Sequence, residues 1–166
     1  MILALDVHYR SDEAKAVGIL FRSWTDEEVT DTISIFISDV EVYVPGEFYK
    51  RELPCLLAVI NSIQEPIELI IVDGYVTLGE EQKPGLGKHL YDALEQKIPV
   101  IGVAKTSYAG INPDVHQVFR GQSRNPLFVT SIGIDVEYTA SKIGSMAGEH
   151  RIPTLLGYLD RQTKKD

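Results

Sequence analysis

"IELIIVDG" (Ile67–Gly74) is the stretch on which the fold turns. Its apolar residues run almost unbroken and stop at Asp-Gly, the mark of a strand covered on both faces; a half-exposed strand would alternate. "PVIGVAK" repeats the pattern, with a buried strand over Pro99–Ala104 closed by Lys105. Between them, Leu86–Gln96 sets Leu86, Leu90 and Leu94 at helical spacing, so strand, helix and strand follow in order. Upstream, Ile2–Asp6 ("ILALD") is a shorter apolar run that also ends in a carboxylate. Ala16–Trp24 and Thr32–Asp39 are β-branched and partly alternating, and their short polar links "RSDEAK" and "TDEE" suit an antiparallel meander. Pro54–Ile63 predicts a helix with Pro54 in its first turn and Leu56, Leu57, Ile60 and Ile63 on one side. Val115–Gly121 and Leu127–Ser131 read as further strands, Thr139–Glu149 as a helix, and the terminal "TKKD" as frayed.

The order βββαβαβ predicts an α/β fold, a mixed sheet whose first three strands are antiparallel and whose later strands are parallel, flanked by helices. That is a ribonuclease H-like arrangement. At 166 residues without an evident linker or repeat, the whole chain 1–166 is expected to form one domain. Cys55 is the sole cysteine, so an intrachain disulfide is excluded, and its apolar neighbours mark it as a core thiol. No apolar run is long enough to span a bilayer, and a cytoplasmic location with no membrane partner is the expectation.

A net charge of −8 argues against a strongly basic nucleic-acid binder. The sign is uneven, however: −11 over residues 1–82 and +3 over residues 83–166. Such a split suits a carboxylate-rich metal site in the first half and phosphate contacts mainly from the second. Asp6 or Asp73 alone could be a solvated loop residue. Together they are more informative, because ligands of open α/β sheets bind beyond the carboxyl ends of the strands. Neighbouring strands lie roughly 4.8 Å apart, close enough for terminal carboxylates to share a cation. A hard divalent ion such as Mg²⁺ or Mn²⁺ suits that oxygen donor set. Lys105 offers a positive charge at the same sheet edge, and Glu52 a third carboxylate from the start of the following helix. None of the four histidines has zinc-ligand spacing, although His8 lies two residues past Asp6.

"ALDVHY", "YVPGEFYKRELPCLL", "LIIVDG" and "PVIGVAK", in that order and at those separations, resemble the endonuclease V family, with a weaker echo at "HRIPTLLGYLD". The resemblance implies a ribonuclease H-like fold and a metal-dependent endonuclease that cleaves nucleic acid near inosine, the deaminated form of adenine. It places Asp6, Glu52 and Asp73 on the family's acidic catalytic and metal-binding residues and Lys105 on its catalytic lysine. Asp160 falls where family members carry a His or Asp near the metal. Tyr43, Val44, Pro45 and Gly46 match the wedge inserted where the base is extruded, and Gly46, Gly74 and Gly102 match glycines whose backbone helps to hold that base. Physically, extrusion costs a few kcal/mol, and an aromatic filling the vacated stack returns roughly 1–3 kcal/mol. The segment "YVTLGEEQKPGLG" is acidic where the family is basic. DNA and RNA both stay open as substrate, as do one metal or two and a monomer or an oligomer. A binding module without activity, or a nuclease acting on another structured nucleic acid, is the alternative reading.

Overall fold

The computed structural model of the protein describes residues 1–38, 40, 44–45, 47–108 and 112–166. In chain order its elements are β1 (Ile2–Arg10), β2 (Glu13–Phe21), β3 (Asp31–Ile37), α1 (Phe48–Asn61), β4 (Leu69–Asp73), β5 (Thr77–Leu78) and β6 (Lys83–Pro84). These are followed by α2 (Leu86–Ala93), β7 (Val100–Ala104), β8 (His116–Val118), β9 (Leu127–Ile132), α3 (Val136–Ser145) and α4 (Thr154–Lys164). Seven strands form one sheet in the order β3-β2-β1-β4-β7-β9-β8, and β5 and β6 make a separate small ribbon. β1, β2 and β3 are antiparallel neighbours, and β1, β4 and β7 run parallel. The later strands of the βββαβαβ order, β4 and β7, are parallel as expected, and the remainder is mixed. β9 and β8 return antiparallel, because β9 reaches β7 without a crossover helix.

Alternation along each strand divides the core into two layers. Ile2 and Ala4 of β1, Leu69 and Ile71 of β4, and Ile101 and Val103 of β7 face α3 and α4. Leu3, Leu5, Ile70, Val72 and Val100 face α1 and α2. Covering both faces is what makes the central strands read as unbroken apolar runs.

Four boundaries differ from the expectations for physical reasons. β1 continues past Asp6 to Arg10, where a tight turn at Ser11–Asp12 leads into β2, with Ser11 at φ 53°. Helix α1 begins at Phe48, so Pro54 lies inside it and not in its first turn. Tyr49 and Leu53 extend the buried stripe of Leu56 and Ile60 across the proline; that burial outweighs the roughly 3 kcal/mol that an interior proline costs. Asp135 caps α3 by accepting from the Tyr138 amide, which starts that helix three residues early.

The fourth difference is α4, whose last turn includes part of the "TKKD" tail expected to fray. Thr163 is buried. Lys15, itself buried on β2, donates to the carbonyls of Gln162 (2.6 Å) and Lys165 (3.1 Å). Arg10 donates to the Lys165 carbonyl and pairs with Asp166. Cations on the terminal carbonyls of a helix satisfy acceptors that have no partner within the helix. Lys15→Met should therefore cost about 2 kcal/mol in a denaturant melt, with the loss concentrated in α4. A change below a few tenths would remove the clamp from this account.

Candidate active site

Parity places the acidic strand ends. Leu5 pairs with Val72 in the parallel β1–β4 ladder, so Asp6 and Asp73 stand one rung further on, side by side. Each is two residues past a side chain that faces α4, Ala4 for Asp6 and Ile71 for Asp73, and points to that same face. Lys105 follows Val103 by the same step at the end of β7. Asp160, near the C-terminal end of α4, completes the group. Asp6, Asp73, Lys105 and Asp160 line one cavity with Ile152, Pro153 and Leu156 along its wall. Its volume of ≈ 40 Å³ is room for a cation and a little water. His8, two residues beyond Asp6 on the continued strand, shares this face.

Glu52 arrives from the other layer. It sits in the second turn of α1, on the α1/α2 side of the sheet, and not at the helix start where it would serve the macrodipole. Beside it, the Arg51 guanidinium lies 3.5 Å from the centroid of the Tyr9 ring.

The carboxylates press on one another. Burial, then the neighbouring Asp73 charge, pushes Asp6 up to about 7, against the Val7 amide that it accepts from and the Lys105 charge. Burial, then Asp6 and Asp73, pushes Glu52 up to about 8, with Arg51 opposing. Asp73 is also raised, first by burial, with Lys105 opposing and Asp160 adding to the rise. Carboxylates raised this far resist sharing a site unless protons or a cation intervene.

Among the described residues, no three His, Cys, Asp or Glu side chains are gathered tightly enough to cage a metal alone. The donor set nevertheless fits a hard divalent ion. It is all oxygen and anionic, and an ion such as Mg²⁺ keeps several waters and needs only one or two protein carboxylates.

The glycines act on the loop behind Asp73. Gly74 has φ 120°, a conformation that side-chain-bearing residues rarely adopt, and its amide bonds the Val103 carbonyl. The chain then crosses over β7 directly above Gly102, where a Cβ would come within 2.5 Å of the Gly74 carbonyl oxygen. Gly102 is buried under this crossing, so any part it plays toward a base is exerted through the loop that it admits. In the wedge segment, Val44 and Pro45 are exposed, while Tyr43 and Gly46 lie outside the described residues. Among the remaining histidines, His89 stacks on Tyr49 at 3.6 Å and His116 faces Glu137. Asp160 is the site residue that residue-level reading missed. The spacing of Leu155 and Leu159 after Pro153 was the available signal for its helix.

A sheet ordered 3-2-1-4 from one edge, its first three strands antiparallel and the next two parallel, is ribonuclease H-like, and it brings Asp6 and Asp73 together beside Lys105. A family model for endonuclease V matches residues 1–140. The endonuclease V of Trichormus variabilis is 27% identical over 177 aligned residues, covering 99% of this chain and 75% of that protein. The chain belongs to the endonuclease V family, whose members are nucleases. Solved structures agree on the fold. The catalytic domain of human endonuclease V matches with a TM-score of 0.77 at 22% identity, covering 98% of this chain and 80% of that one. Ciona intestinalis endonuclease V, in complex with a 24mer DNA containing an inosine followed by a ribo-adenosine, matches with a TM-score of 0.79 at 14% identity. That match covers 98% of this chain and 84% of the Ciona chain. Among the described residues, no helix is long and apolar enough to cross a membrane.

Proposed function

We propose that this protein is a metal-dependent endonuclease that hydrolyses a phosphodiester bond near inosine in DNA or RNA, with residues 1–166 acting as one endonuclease V-like domain. The observation that carries the reading is the convergence of Asp6, Asp73 and Lys105 on one face of adjacent strand ends, with Asp160 across the cavity.

In this reading Asp6 and Asp73 hold Mg²⁺ or Mn²⁺, with Asp160 and Glu52 close enough to bias its position. Such a cation supplies Lewis-acid chemistry, acidifying a water and offsetting phosphate charge. The protein's own groups do the rest. Glu52, once the cation displaces the proton that burial and the Asp6 and Asp73 charges hold on it, is a carboxylate able to orient the attacking water or take its proton. Lys105 adds positive charge as charge develops on the phosphate. Tyr43 with Val44, Pro45 and Gly46 enters the stack that the inosine vacates, and the Gly74 backbone borders the extruded base.

Incubation with Mg²⁺ and an inosine-containing strand should give a single nick, with the adenosine-containing control left intact. Folded protein that leaves both strands whole would refute the proposal.

A pH dependence follows as well. Without a cation, folded protein retains protons on Asp6 and Glu52 at pH values where the unfolded chain has released them. Stability then falls as pH rises from about 4 through about 8, since the folded state binds more protons. A cation replaces those protons, so the rise in Tm on adding Mg²⁺ should be larger at pH 8 than at pH 6. Equal shifts at both pH values would detach the carboxylates from the metal.

A further inference from the structure

Lys105 stands one residue beyond the end of its strand. The β7–β9 ladder closes at Ala104 paired with Phe128, and β9 itself starts at Leu127, just after Pro126. At this point the ladder is continued by a side chain. One guanidinium nitrogen of Arg151, Nη2, donates both to the Lys105 carbonyl and to the Pro126 carbonyl, the latter at 2.8 Å. Arg151 itself belongs to the segment between α3 and α4, and the next two residues, Ile152 and Pro153, form part of the cavity wall ahead of the helix that carries Asp160. The other end of this segment is also held. Buried Arg120 donates to the carbonyls of Met146 and Gly148, each at 2.9 Å.

We propose that Arg151 is a positioning residue for Lys105, fixing the lysine's backbone to the segment that leads into α4 so that Lys105 and Asp160 keep their places across the cavity. The proposal rests on the reading of Lys105 as the positive group that acts at the phosphate. A lysine side chain is flexible, and its charge is useful only if the stem starts from a fixed point. The backbone of Lys105 lies past the last rung of its strand, and the guanidinium supplies the missing restraint.

The test is a double-mutant cycle read by single-turnover cleavage of an inosine-containing oligonucleotide with Mg²⁺, using the full chain. Arg151→Gln should slow cleavage about 10- to 100-fold, the range seen when a group supporting a functional residue is lost. In a Lys105→Ala background the same change should slow it no further, within about 2-fold, because the residue through which it acts is gone. Arg151→Lys, which can still reach one carbonyl, should recover part of the rate; it also serves if the glutamine variant folds poorly. A full additional loss in the Lys105→Ala background would overturn the proposal, and so would undiminished cleavage by Lys105→Ala itself. A second readout is independent of cleavage. Amide exchange at residues 104–106 should rise at least about 10-fold in Arg151→Gln while the β1–β2 hairpin is unchanged. Unchanged exchange at 104–106 overturns the proposal whatever the rates. An inactive wild type with the expected exchange pattern would count against the nuclease reading and leave the restraint standing.

Discussion

Asp73→Asn is expected to remove cleavage, by on the order of 10³-fold or more, the upper range for loss of one group that stabilises transition-state charge. The amide keeps the shape of the carboxylate and deletes its charge at the tip of β4, beside Asp6. Stability should move the other way. Asp73 is one of the charges that raise both Asp6 and Glu52, so its removal relieves repulsion in the metal-free protein. The variant should melt higher than wild type at pH 8 without divalent ions, and Mg²⁺ should raise its Tm less. Lost activity together with gained stability is the signature of a residue placed for chemistry at the expense of the fold. A variant that is inactive and also less stable would indicate that Asp73 supports the structure. One that cleaves normally would end the proposed role.

Gly102→Ala is expected to have the largest effect of any single methyl addition at the site. Gly102 lies in mid-strand, paired with Val72 of β4 on one side and Thr130 of β9 on the other. The added Cβ would meet the Gly74 carbonyl oxygen at 2.5 Å, the Thr130 hydroxyl at 2.8 Å and the Val76 amide nitrogen at 3.0 Å. Two of these three are backbone atoms that cannot swing aside, and the Val76 amide already donates to the Thr130 hydroxyl at 2.9 Å. The 74–76 crossing must lift, which breaks that bond and shifts the residue next to Asp73. A loss of about 3 kcal/mol in denaturant unfolding is expected, with cleavage falling further than stability alone accounts for. Alanine tolerated with full activity and unchanged stability would show that the crossing is looser than the structure has it.

These two residues also show how far the sequence can be read. Asp73 was legible because a buried strand announces itself as an apolar run, and a charge that ends such a run must sit at the sheet's edge. Lys105 follows from the same rule; Asp6 also ends an apolar run, although β1 itself continues past it to Arg10. Gly102 was legible only as a glycine inside a strand. That a backbone segment passes directly over it depends on how the chain turns after Gly74, and no local pattern records this. The sequence reading starts helix α1 six residues late, at Pro54, because the cost of a proline is local, whereas the apolar stripe through Tyr49 and Leu53 decides for helix.

What the sequence determined by itself is the order of strands and helices and which residues close the central strands, since periodicity and burial are written in neighbouring positions. What only the tertiary structure decided is convergence. Glu52 from one layer, Asp160 from the other and Arg151 bracing the end of β7 are brought together by packing across the sheet. They lie 46 to 87 positions from the residues they serve, Lys105 for Arg151, Asp6 for Glu52 and Asp73 for Asp160. Forces that act through space between such distant segments leave no spacing rule along the chain.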